Sequence, residues 1–106
     1  MTTFDDRERG FEAAFAHDEE MRFRAIAHRN RALGLWAAGR MGRTGAEADA
    51  YARSVVETGV ARAGDEVVIE KVSADLAAAK ASASREEINR VMIQAMNEAV
   101  LAQKPT

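Results

Sequence analysis

Cysteine is missing from all 106 residues, so a disulfide framework, a thiol nucleophile and a thiolate metal site are excluded, and a reducing, cytoplasmic setting is expected. Proline is nearly missing too. The one proline is Pro105, and nothing internal forbids helix along the rest of the chain. No run of about twenty apolar residues exists to span a bilayer, so membrane insertion is not expected. The first residues are charged rather than apolar, which argues against a secretory leader. Neither sign of charge dominates: the formal net charge is −2, and nucleic acid is not expected as a partner. Strand patterns, Gly-rich loops after a strand, nucleophile elbows and paired carboxylates with a base are all absent, which makes catalysis improbable. Met41-Gly-Arg-Thr-Gly45 lacks the lysine and strand of a phosphate loop and reads as a turn between helices. His17 and His28 are eleven residues apart, roughly 16 Å along a helix, too far to share a metal. A protein with no enzymatic activity, no metal and no obligatory cofactor is therefore expected.

What is present is alanine, charge and helical rhythm, which together give an all-α expectation: a compact four-helix bundle of one domain. The first helix is expected from Asp18 to Arg40, with a seam of Phe23, Ile26, Leu33, Ala37 and Met41 interrupted by Asn30, and Gly42 as its left-handed cap. It is longer than the others, so it either overhangs them or bends near Gly34. Thr44 to Glu47 has capping-box spacing and opens a second helix with an apolar face of Ala48, Tyr51, Ala52, Val55, Val56, Gly59 and Val60, ended by Gly64. Asp65 is expected to cap a third helix built on Val68, Ile69, Val72, Leu76 and Ala79. Ser84 to Glu87 forms another capping box, and a fourth helix runs through Ile88, Val91, Met92, Ala95, Met96 and Ala99 before fraying near Gln103. Short connections favour antiparallel neighbours in an up-and-down arrangement.

Two features lie outside that core pattern. Phe4, Phe11 and Phe15 are spaced seven and four apart, on one face of a helix whose remainder is acids and arginines, the pattern of an anchor for a groove on another protein. Leu35 faces away from the expected seam and, with Trp36, would receive Phe11 and Phe15 if the segment folded back. The second feature is a block from Met21 to Ala46 in which Arg22, Arg24, Arg29, Arg31, Arg40 and Arg43 meet no acid. With Trp36, it is a candidate site for weak binding of ADP or ATP; its alternative is a solvated helix face opposite neighbouring acids.

Thr3-Phe-Asp-Asp-Arg7, Phe11-Glu12, Phe15-Ala-His-Asp-Glu-Glu20, Arg29-Asn30, Leu33-Gly-Leu-Trp-Ala-Ala38 and Gly45-Ala-Glu-Ala-Asp-Ala-Tyr51 stand at matched spacing. Together they resemble the zeta-type ATPase inhibitor subunit of alphaproteobacterial F-type ATP synthases, over essentially the full length. The resemblance implies a small regulator, monomeric when free, that binds the catalytic head and blocks ATP hydrolysis, peripheral to the inner membrane when bound. It further implies an inhibitory segment at residues 1–19, mobile when free and helical when inserted at a catalytic α/β interface against the γ stalk, and a four-helix domain at residues 20–104. Phe4, Asp5, Asp6, Arg7, Glu8, Phe11, Glu12 and Phe15 would then bind the partner. Gly10 departs from the family's habit of placing a helix former there. The alternatives are a nucleotide-sensing bundle using the arginine block, and an adaptor for an unrelated protein.

Overall fold

A computed structural model describes residues 18–62 and 64–103, which form four helices: α1 (Glu19–Arg40), α2 (Gly45–Ala61), α3 (Asp65–Ala78) and α4 (Arg85–Gln103). The all-α, four-helix expectation holds. α1 starts where its cap requires. The Asp18 carboxylate accepts the Met21 N–H at 2.9 Å, and Glu19 and Glu20 set negative charge against the positive end of the helix. α1 ends at Gly42, whose φ of 78° permits the Arg43 N–H to reach back to the Ala38 carbonyl at 2.9 Å. α3 closes the same way without a glycine, with Lys80 taking the left-handed position at φ 60°.

Three expected helix starts come out differently. Thr44 precedes α2 but makes no side-chain cap bond, because its own carbonyl already takes the Glu47 N–H at 3.2 Å. α2 ends at Ala61, earlier than Gly64, and Gly64 instead sits just ahead of α3 with a φ of 104°. Asp65 is therefore inside the first turn of α3 rather than capping it, and its carboxylate is taken by Arg29 at 2.9 Å. At α4 half of the capping box forms. The Glu87 N–H donates to the Ser84 hydroxyl at 3.0 Å, while the Glu87 carboxylate accepts from Arg40 instead of turning back.

α1 is the spine. It packs against both α2 and α4, and α3 touches all three. Arg40 meets Glu87 at one end of α1 and Gln103 donates to the Met21 carbonyl at the other, so α1 and α4 run antiparallel. Asn30 lies against Gly59 and Gly34 against Ala52, so residue numbers rise along α1 as they fall along α2, and these two helices are antiparallel as well. α3 departs from a simple up-and-down bundle, since the Glu66–Arg85 pair joins the first turns of α3 and α4, which antiparallel helices would hold apart. α1 runs unbroken past Gly34. That glycine sets a close approach, for an added Cβ would lie 2.6 Å from the Ala52 backbone.

Leu33, Val55, Val68, Val72, Leu76 and Ile88 form the main core, and Ala25, Ala99 and Val100 a smaller one near the start of α1. The faces expected for α2, α3 and α4 are met in their central turns. The seam of α1 is met at Leu33 and Ala37 but not in its first half, where Ala25, Arg29 and Asn30 are buried while Phe23 is 57% exposed. A helix held between two neighbours buries a broad stripe, and small residues fill it because they let both neighbours come close.

Candidate functional site

The start of α1 and the end of α4 share one pole of the bundle, the pole at which residue 17 joins Asp18, while the last turn of α2 meets α1 further along, at Asn30. Of the large apolar side chains most exposed among the described residues, Phe23 and Leu101 lie toward that pole, and Val60 lines a groove together with Phe23. This groove, of about 210 Å³, lies between α1, α2 and the start of α3, with Phe23, Ile26, Val56, Val60 and Val68 in its walls.

Its floor is polar. Arg29 is only 5% exposed, and its Nε and Nη2 donate to the Asn30 Oδ1 at 3.0 and 2.9 Å while Nη2 also pairs with Asp65. Gly59 leaves room for the Asn30 amide group, which an added Cβ would strike. Asn30 had read as a break in the seam; it is instead the acceptor that lets a guanidinium be buried, and its place amid apolar positions was the available signal.

The arginines of the first helix do not converge. Arg22 is exposed, Arg24 pairs with Glu20 at 2.7 Å, and Arg31 lies 3.6 Å from Asp49. Arg40 sits over the half-buried Trp36 ring at 5.5 Å while holding Glu87, and Arg43 lies 5.2 Å from the Tyr51 ring centre. Most thus face acids of neighbouring turns or helices. His28 is exposed and Leu35 half-buried.

A second, wide hollow of about 690 Å³ surrounds Tyr51, with Arg43, Lys71 and Asp75 at its edges. The Tyr51 hydroxyl donates to the Asp75 carboxylate at 2.8 Å, which Lys71 also reaches at 3.0 Å. Burial, then the Asp75 carboxylate, push the Tyr51 phenol above its usual range. Above pH about 10 the unfolded chain gives up that proton and the folded chain keeps it, so stability is full below that pH and falls as pH rises. Tyr51→Phe is expected to cost about 1 kcal/mol at neutral pH and to flatten this alkaline loss, which thermal melts at pH 8 and 11 would show. At the start of α3, Arg85 bonds the exposed Glu66 and holds its carboxyl below the ordinary range.

Phe4, Asp5, Asp6, Arg7, Glu8, Phe11, Glu12, Phe15 and His17 lie outside the described residues, and with them the expected conditional helix. No helix among the described residues is long and apolar enough to cross a membrane. No curated protein matches the chain. The family model described as ATPase inhibitor subunit zeta matches residues 1–102, so it takes in the aromatic segment as well as the bundle.

Proposed function

Because that match spans nearly the whole chain, the protein belongs to the ATPase inhibitor subunit zeta family, and we propose that its inhibitory element is residues 1–19. Membership makes it a regulator rather than an enzyme, one that binds the F-type ATP synthase and inhibits its ATP hydrolysis. The finer mechanism is our reading. Residues 1–19 insert as a helix at a catalytic α/β interface and abut γ, with Phe4, Phe11 and Phe15 on the buried face and Asp5, Asp6, Arg7, Glu8 and Glu12 on the polar one. Rotation is then blocked by bulk, a mechanism that needs no catalytic residue. The bundle stays outside, a monomer when free, and works on the cytoplasmic side of the inner membrane.

The observation that carries this reading is the three-phenylalanine stripe, which stands ahead of a capped helix in a segment that the family match includes. Its ordering on binding is offset by burial of the rings, each contributing about 1.5–3 kcal/mol if fully covered. Gly10, between the first ring and the other two, raises the ordering cost. Gly10→Ala should therefore inhibit about fivefold more tightly, since glycine costs a helix about 1 kcal/mol relative to alanine. A titration of ATP hydrolysis with both proteins measures it.

The test of the proposal is the chain lacking residues 2–19, added to the cognate enzyme. Loss of inhibition with an unchanged far-ultraviolet helical signal from the bundle supports it. Full inhibition by the truncated chain sinks it.

A further inference from the structure

The groove beside the first half of α1 has no occupant among the described residues, although its rim carries Phe23 and Val60 at 57% and 61% exposure. We propose that it is the resting seat of the chain's own aromatic stripe: Phe11 fills the groove and Phe15 lies on Phe23 at its mouth. The proposal rests on the reading of residues 1–19 as the inhibitory element, and adds to it an internal competitor that sets inhibitory strength.

Reach, volume and chemistry agree. Ile26, midway along the groove, is eight residues into the helix from Asp18, about 12 Å. Seven residues separate Phe11 from Asp18, enough for an extended chain to cover about 23 Å and so to double back. Leu35 and Trp36 are about 26 Å along α1, and Phe15, three residues from Asp18, reaches only about 10 Å. The groove is thus the better placed of the two receivers. A cavity of about 150 Å³ suffices for benzene, and this groove offers 210 Å³. Val56, Val60, Val68 and Ile26 supply an apolar wall, and beneath it Arg29 is tied to Asn30 and Asp65. Tethering favours this occupant over a second molecule, since a short linker holds the segment at an effective concentration in the millimolar range.

While seated, Phe11 and Phe15 are withheld from the catalytic head. The head must outcompete the groove, and the apparent affinity for the enzyme falls by the fraction of molecules in which the stripe is free. The seat is therefore a brake on the inhibitor, adjustable at residues that do not themselves contact the enzyme's catalytic interface.

The lack of native cysteine makes the test clean: Ala14→Cys carries a single nitroxide on the full-length chain. Broadening of the Ile26, Val56 and Val60 amide signals, retained when labelled protein is diluted into unlabelled protein carrying the isotope-silent background, is the expected result. Broadening that is absent, centred on Leu35 and Trp36, or lost on such dilution overturns the seat. Phe23→Ser and Val60→Glu, at sites exposed enough to leave the bundle folded, should abolish the broadening and lower the half-inhibitory concentration about three- to tenfold. Unchanged potency in both variants overturns the brake. Groove broadening together with full inhibition by the chain lacking residues 2–19 would leave the seat standing and remove the inhibitory reading; the reverse pair of results would do the opposite.

Discussion

Replacing Phe4, Phe11 and Phe15 together by alanine raises the half-inhibitory concentration at least about a thousandfold, measured by titrating ATP hydrolysis of the cognate enzyme. Each ring is worth about 1.5–3 kcal/mol when fully buried, so three buried rings give at least about 4.5 kcal/mol, above the roughly 4 kcal/mol that a factor of a thousand requires. The bundle is expected to melt as before, because its buried core is supplied by α1 to α4. Single replacements should grade the effect. Phe11→Ala and Phe15→Ala also empty the proposed seat in the groove, which restores part of the lost potency, so Phe4→Ala is expected to show the least masked cost.

The largest expected effect on stability comes from Arg29→Ala, about 3 kcal/mol in urea unfolding. The substitution removes a buried side-chain stem and leaves the Asn30 carbonyl oxygen without a donor, each a known source of loss. It also frees Asp65, so the first turn of α3 loses its tie to α1. Arg29→Met keeps much of the stem and isolates the polar part, for which about 1–2 kcal/mol is expected. Arg29→Lys does not rescue fully. One ammonium cannot reproduce the fork that reaches both Asn30 and Asp65. For a domain of this size such losses are a large share of a total of about 5–15 kcal/mol.

Much of this architecture was legible in the residues. Asp18, Gly42 and Ser84 punctuate the chain through local backbone chemistry, and local chemistry is what sequence carries best. The apolar faces of α2, α3 and α4 were legible because each presents one stripe to one core. α1 was misread in its first half. Phe23 and Ile26 are the largest apolar residues there, yet burial follows Ala25, Arg29 and Asn30, because two neighbours press on the helix and small residues fit between them. The departure of α3 from the up-and-down arrangement had no local signal, since the contact that reveals it joins Glu66 and Arg85 across nineteen residues.

The site was legible in a different way. The phenylalanine stripe stood out by spacing alone, and the family match gives it a context. The arginine block stood out by composition, but charge counted along a chain ignores what faces it. Glu20, Asp49, Asp65 and Glu87 answer four of its six arginines. The groove was invisible in the sequence because its walls come from three helices and its polar floor from a pair that periodicity treats as an interruption.

The central claim is that residues 1–19 occupy a catalytic α/β interface while the bundle stays outside, and a photoreactive phenylalanine analogue at position 11 addresses it directly. Illuminated in the inhibited complex, the full-length chain should form adducts with α, β or γ of the catalytic head. The same probe at Leu101, on the bundle's surface, should form none with γ. Adducts with the head from position 101 alone, and none from position 11, would contradict the account.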